Sequence, residues 1–330
     1  MRHACREMSN LVKKPTALII GATGQDGAYL TRLLLTKGYR VVGTSRDAHA
    51  CDQSRLQRLK VDEDIEIISL APNDFRSVLK VVSSIAPDEI YNLAGQTSVS
   101  LSFEQPVECM ESIAGGCLNV LEVIRFLQLP TRLFNAGSSE CFGEAADKAA
   151  DESTAMQPRS PYGVAKATAY WQIANYRIAY GLWACTGILA NHESPLRQNR
   201  FVTQKIIRGV QLIKEGKLDR LELGNLEIWR DWGWAPEYVE AMHMMLQSDS
   251  PQDFLISSGE TSSLREFVQI AFEMAGLIAE DYVKTAGSLM RPSDLKYSAM
   301  NPAKINNELG WAAKTKLHQI IEKMYHDVLF

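Results

Sequence analysis

The 330-residue sequence has no apolar run near the roughly 20 residues that a membrane span requires, so nothing in it points to a membrane-embedded function. Positive charge is also in short supply. The 35 Lys and Arg residues against 39 Asp and Glu leave a net charge of -4, which gives no electrostatic case for nucleic acid or an anionic bilayer surface. Cysteine is sparse: Cys5, Cys51, Cys109, Cys117, Cys141 and Cys185 form no C-x-x-C pair or zinc-like cluster, and a chain of this size needs no disulfide staples. These read as thiols in a reducing cytoplasm. The histidines show neither H-E-x-x-H nor paired spacing, so no metal site is expected. Repeats and low-complexity tracts are lacking. Residues 1–14 carry Arg2, Arg6, Lys13 and Lys14 without an apolar core, and read as a frayed tail rather than a secretory leader.

What is present is an alternation. Residues 16–20 form a short apolar run that ends in Gly21-Ala-Thr-Gly24-Gln-Asp-Gly27, after which Tyr29, Leu30, Leu33 and Leu34 fall at helical spacing until Gly38. Strand, glycine turn and helix in this order offer backbone N–H groups and a helix N-terminus to a pyrophosphate. The glycine spacing is G-x-x-G-x-x-G, which differs from the G-x-G-x-x-G fingerprint and also suits a plain tight turn. A second strand over residues 39–44 runs into Ser45 and Arg46. Arg46 suits a 2′-phosphate where an NAD site carries an acid, although Asp47 follows it, and a solvated arginine is the alternative.

Strands are expected over 65–70, 89–93, 132–136, 183–189 and 253–257. Helices are expected over 74–85 (capped by Asn73 or Asp74), 106–127, 161–180, 201–215, 236–247, 264–275 and 317–328. This order predicts an α/β fold, a Rossmann-type doubly wound parallel sheet with ligands at the carboxyl ends of its strands. Residues 15–190, with 231–258 returning, would bind the cofactor. Residues 191–230 and 259–330 would form a smaller interleaved substrate domain. Residues 191–197 read as a polar loop, and Trp229, Trp232 and Trp234 as core.

Chemistry concentrates between Asn135 and Lys166. Ser138, Ser139 and Glu140 stand at a strand end, and Tyr162 and Lys166 lie four residues apart on one helix face. An ammonium beside the phenol, with a cationic nicotinamide, would favour the phenolate and make Tyr162 a base for a sugar hydroxyl.

These motifs carry a resemblance. The chain resembles the extended short-chain dehydrogenase/reductases and, within them, the GDP-mannose 4,6-dehydratases, from about Ala17 to Trp311. The matching motifs are Gly21-Ala-Thr-Gly-Gln-Asp-Gly27, Tyr91-Asn-Leu-Ala-Gly95, Ser138-Ser-Glu140, Pro158-Arg-Ser-Pro-Tyr-Gly-Val-Ala-Lys166, Asn191-His-Glu-Ser-Pro-Leu-Arg197, Phe201-Val-Thr-Gln-Lys205, Arg230-Asp-Trp-Gly233 and Arg291-Pro292. The resemblance implies a redox-neutral dehydration of GDP-mannose through bound NADP, catalysed by Ser138, Glu140, Tyr162 and Lys166. It assigns Gly21, Thr23, Gly24, Gln25, Asp26, Gly27, Arg46, Leu93, Ala94, Tyr162, Lys166, Leu189 and His192 to the cofactor. Ser98, Ser139, Asn191, Lys205, Arg230, Arg291 and Asp294 fall to the GDP-sugar. Glu140 is the discriminating residue, since reductases and epimerases of this group need no base at C5.

The chain also departs from the pattern. Ser138 stands where most of the family has Thr, Ser139 where related dTDP-glucose dehydratases have Asp, and Ala190 where relatives have an aromatic. Leu70-Ala71-Pro72 replaces an adenine-contacting stretch. The segment after Arg46 lacks the paired arginines that reach a neighbour's cofactor in some relatives, so a homodimer is expected before a tetramer. The alternatives are a GDP-4-keto-sugar reductase or epimerase, a dehydratase of a larger GDP-sugar, and a catalytically idle binding protein. Retention of all four catalytic groups argues against the last.

Overall fold

The computed structural model describes residues 14–144 and 148–330, so the expectation for the tail falls almost wholly outside the described residues. In chain order the strands are β1 (Thr16–Ile20), β2 (Arg40–Ser45), β3 (Glu66–Ser69), β4 (Glu89–Asn92), β5 (Arg132–Ala136) and β6 (Ala184–Leu189). They continue as β7 (Asn191–Glu193), β8 (Leu221–Leu223), β9 (Trp229–Trp234), β10 (Phe254–Ile256), β11 (Thr261–Ser263), β12 (Val283–Thr285) and β13 (Tyr297–Ser298). Seven of them make one sheet in the order β10-β6-β5-β4-β1-β2-β3, every pair parallel. A Rossmann-type sheet is thus present, and its winding reverses between β1 and β4.

The residues of β1 show why the sheet is buried on both sides. Ala17 and Ile19 point into a core shared with the helices Gln25–Thr36 and Ala235–Leu246. Leu18 and Ile20 point the other way, toward Phe75–Ile85, Gly116–Leu127 and Pro161–Tyr180. A strand covered on both faces needs a near-continuous apolar run, and Ala17 to Ile20 supply it after Thr16. A third core lies apart, where the helices Val202–Lys214, Leu264–Ala275 and Leu317–Tyr325 pack around Trp232 and Trp234. Beside it β9 pairs with β7, β11 and β13, and β8 pairs with β12. No helix of the described residues is long and apolar enough to cross a membrane.

Several expectations need correction. Residues 191–197 do not begin as a loop: Asn191–Glu193 is β7, and His192 and Glu193 are buried. Their polarity hides the strand because the partners that satisfy them are remote, His192 on Asp26 and Glu193 on Thr203. The segment 106–127 is not one uniform helix, because Glu111–Gly115 widens into a π-helical turn between Pro106–Met110 and Gly116–Leu127. That turn sets Ser112 Oγ 3.2 Å from the Gln96 N–H and presses Ile113 against Gly95, so it shapes the loop after β4. Of the tryptophans, Trp232 and Trp234 are core, whereas Trp229 is 38% exposed. The last helix stops at Tyr325. Of the two caps proposed for the 75–85 helix, Asp74 serves, accepting from the N–H groups of Arg76 and Ser77.

Candidate active site

The glycine turn after β1 is fixed by contact distances. Gly21 has φ +96°, in the left-handed region, and a Cβ there would sit 3.2 Å from the Ala94 nitrogen. A Cβ on Gly27 would lie 2.3 Å from the Gly21 carbonyl oxygen, so only glycine lets the helix start this close to the turn. At Gly24 no side chain caps the helix, which leaves the first-turn N–H groups facing the crevice where β1 and β4 part. This bare helix start and close-approach turn fit a dinucleotide pyrophosphate. Thr23, Leu93 and Ala94 line the same rim half-buried, and Leu189 lies buried at the end of β6.

Gln25, Asp26 and His192 are engaged with one another. His192 Nε2 lies 2.9 Å from Asp26 Oδ2 and its Nδ1 2.8 Å from the Ala190 carbonyl, so both ring nitrogens face acceptors. The imidazolium satisfies both, since each of its nitrogens carries a proton. Burial pushes the His192 pKa down, but the Asp26 carboxylate outweighs it and the net shift is upward. Burial likewise works against ionisation of Asp26, yet the His192 charge and hydrogen bonds from His192 and Gln25 bring it down to about 2. Gln25 completes the latch through the His192 carbonyl and Ser194 Oγ, and the imidazole stacks on Tyr238 at 4.6 Å.

β5 delivers Ser138, Ser139 and Glu140 at its carboxyl end. Ser138 is extended and its Oγ accepts from the Glu140 N–H at 3.3 Å, which starts the short turn Ser139–Cys141. The helix bearing Tyr162 begins against this turn. Ser160 caps it by accepting from the Gly163 N–H at 3.0 Å, and Pro161 fills the first position, where a missing N–H costs nothing. A Cβ on Gly163 would stand 2.7 Å from the Glu140 carbonyl oxygen, so the helix start and the Ser139–Cys141 turn are in direct contact.

Burial pushes the Tyr162 phenol well above its usual value, with the Ser138 hydroxyl pulling the other way. Burial lowers Lys166, whose ammonium sits 5.8 Å from the Tyr162 ring centre and donates to the Ala136 carbonyl at 2.7 Å. The expected phenolate depends on Lys166 together with a cationic nicotinamide; in the protein without one, burial raises the phenol and the lysine's hydrogen bond goes to backbone. Glu140 is half-buried. Its pKa is raised by burial, against the opposing charges of Arg230 and Arg291, with Asp294 adding to the rise and Ser160 opposing it.

Around Glu140, Arg230 is built into the wall. It is 4% exposed and donates to the carbonyls of Trp229 and Leu295 and to Asp294 Oδ1 at 3.0 Å. Arg291 shares that Asp294 oxygen and also reaches Ser100 Oγ. Lys205 donates to the Glu222 carbonyl, and Asn191 pairs in register with Trp232. Ser98 caps Val99–Glu104, and Ser139 is buried as the first residue of the turn Ser139–Cys141. Arg46 is exposed at the end of β2. Its neighbour Asp47 turns into its own loop, accepting from the N–H groups of His49 and Ala50. Reading the sequence missed Ser160, although Ser-Pro before an apolar helix signals a cap. It also missed Arg55, whose Nη1 donates to the Thr23 carbonyl at 3.2 Å, a contact with no local signal.

A glycine-cradled dinucleotide rim at a sheet reversal, joined to a Ser-Glu turn and a Tyr-x-x-x-Lys helix, defines the extended short-chain dehydrogenase/reductase class. The solved structures agree in fold. DesIV, a dTDP-glucose 4,6-dehydratase from Streptomyces venezuelae, superposes with a TM-score of 0.83 at 19% identity over 95% of this chain and 97% of its own. RMD from Pseudomonas aeruginosa gives 0.78 at 19% identity over 95% and 97%. The family model for GDP-mannose 4,6 dehydratase matches residues 18–324, and the chain belongs to that family. GDP-mannose 4,6 dehydratase 1 of Arabidopsis thaliana is 39% identical over 332 aligned positions, covering 97% of this chain and 92% of the relative.

Proposed function

We propose that this chain converts GDP-mannose to GDP-4-keto-6-deoxymannose with NADP. Residues 15–190 and 231–258 would hold the cofactor, and 191–230 and 259–330 the nucleotide sugar. Glu140 carries the reading: a carboxylate against the start of the Tyr162 helix, with two arginines near it, is the group that a simple dehydrogenase lacks. The named relative supports the substrate, and among the neighbours RMD was solved with NADPH and DesIV with NAD. Arg46, exposed and with Asp47 turned aside, supports NADP over NAD.

When bound, the nicotinamide supplies a hydride acceptor for C4 and returns the hydride at C6. Tyr162 takes the C4 hydroxyl proton while Ser138 holds that oxygen. Lys166, anchored on Ala136, keeps a positive charge beside the ring. The C4 ketone acidifies the C5 proton, which Glu140 removes and passes to the C6 hydroxyl, so that this group departs as water. Tyr162 then gives the proton it took from the C4 hydroxyl to C5, so the protons balance and no net nicotinamide is consumed. Arg230 and Arg291 oppose the effect of burial on Glu140, and their guanidinium groups are of the kind that would suit the substrate's diphosphate.

A homodimer is supported by an uncovered stripe. Val164, Trp171 and Ile178 recur every seven residues along Pro161–Tyr180, with Ile178 82% exposed, and Val107, Met110, Leu118 and Phe126 are exposed on the helices packed beside it. Five described cysteines are unpaired, which supports the cytoplasm.

The test is to incubate purified protein with GDP-mannose and no added cofactor and to identify the product by mass spectrometry. A 4-keto-6-deoxy sugar formed without net nicotinamide turnover is the expected result. A stoichiometric demand for NADPH would overturn the reading in favour of a reductase.

A further inference from the structure

The loop that leaves β4 is fixed from within. Gln96 is buried, and its side-chain amide grips Ser98 twice: Oε1 accepts from the Ser98 N–H and Nε2 donates to the Ser98 carbonyl, each at 2.8 Å. The Gln96 N–H donates to Ser112 of the π-helical turn, and Ser98 Oγ accepts from the Leu101 N–H at 3.3 Å. The short helix Val99–Glu104 that Ser98 caps packs on Pro161–Tyr180, so this ledge belongs to the cofactor half of the molecule. A segment held at these points presents its exposed hydroxyls, Thr97 and Ser100, in fixed places.

Both hydroxyls are taken by arginines from remote segments. Thr97 Oγ1 accepts from Arg200 Nη2 at 3.2 Å, and Ser100 Oγ accepts from Arg291 Nε at 2.9 Å. Arg291 is the side chain with most to gain. Its Nη1 donates to Asp294 Oδ1 at 3.2 Å, but that same oxygen also accepts from Arg230 at 3.0 Å. One shared oxygen leaves the guanidinium plane free to turn about it, and a second anchor at Nε stops the turn. Arg230 needs no such help, because two backbone carbonyls hold it and its side chain is 5% exposed, against 28% for Arg291. A long, half-free arginine loses rotamer entropy when a ligand orders it, and one ordered beforehand does not.

We propose that Ser100 is a positioning residue for nucleotide-sugar binding: its hydroxyl sets the Arg291 guanidinium in the pose that meets the phosphate oxygens, without itself touching the substrate. The inference rests on the reading that Arg291 contacts a GDP-sugar. The phosphates do not react, so the contact is equal in ground and transition states and acts on KM, not on kcat.

The test uses the full-length, NADP-saturated protein, titrated calorimetrically with GDP, which carries the diphosphate and is not turned over, and assayed with GDP-mannose. Ser100→Ala should weaken GDP binding and raise KM by about three- to tenfold, the cost of ordering one long side chain, with kcat and melting temperature little changed. Ser100→Thr, which keeps the hydroxyl, should restore the parent's affinity. In an Arg291→Met background, where nothing is left to position, Ser100→Ala should have no further effect. Equal GDP affinity in the parent and Ser100→Ala, or the same weakening in the Arg291→Met background, overturns the role of Ser100 alone. A parent that fails to bind GDP overturns the proposed substrate and this role with it.

Discussion

Replacing Glu140 with Gln keeps the side chain's length and its hydrogen bonding while removing the base. The environment of Glu140 fixes the direction of three effects. Burial raises its pKa despite Arg230 and Arg291, so the fold disfavours the ionised form. A carboxyl raised in this way contributes its stability below its unfolded pKa, and that contribution is lost as pH rises through the folded value. At neutral pH the Gln variant should therefore melt no lower than the parent. Catalysis runs the opposite way, because the base must be ionised: the acid limb of kcat in the parent should lie above the ordinary carboxylate range. Without the base, the elimination step should slow by about 10²–10⁴-fold, or about 3–5 kcal/mol of barrier. C4 oxidation does not need Glu140, so reduced nicotinamide should accumulate on the variant and be visible in near-ultraviolet absorbance. Exchange of the C5 hydrogen with solvent deuterium should cease. Turnover within about tenfold of the parent, or loss of NADP binding, would refute the assignment.

The remaining expectations rest on separate contacts. Ser160→Ala removes the cap on Gly163 and should cost about 1 kcal/mol in urea denaturation; it also takes a hydroxyl from Glu140 and should move the acid limb to higher pH. An unchanged denaturation midpoint would contradict the cap. Arg46→Asp should swing the ratio of NADP to NAD affinities toward NAD, and a constant ratio in equilibrium binding would count against the 2′-phosphate contact. Asp26→Asn breaks a mostly buried ion pair and should cost about 3–5 kcal/mol where both partners are charged. Asp26, lowered to about 2, stabilises above its unfolded pKa and loses that effect as pH falls toward 2; His192, raised, loses its share as pH climbs through its folded value. The stability gap between parent and variant should thus be widest in mild acid and narrow on both sides. A gap independent of pH would exclude the pair.

The parallel sheet was legible because its signals are local. Apolar runs such as Thr16–Ile20, glycine at Gly21 and helical spacing after Gly24 each report their own backbone, and alternation does the rest. The positions of the candidate catalytic residues were legible for the same reason, since Ser138 and Glu140 follow a strand end and Tyr162 and Lys166 a helix start that the pattern places. What escaped notice depends on remote partners. Strand β7 reads as polar loop until Asp26 and Thr203 come to His192 and Glu193. Strand β9 joins three strands from separate parts of the chain, which no window of sequence contains. The spacing of Tyr162 and Lys166 gave their shared face correctly, but only the fold reveals that the ammonium bonds to Ala136.

Ala190 is the sole residue between β6 of the large sheet and β7 of the smaller one. Its N–H donates to Ile256 in the large sheet, and its carbonyl faces the His192 ring. A link this short and doubly tied has no slack to act as a hinge. The ends of β6 and β7 are thereby tied to each other, so a change of angle between the two sheets would have to be absorbed by other connections.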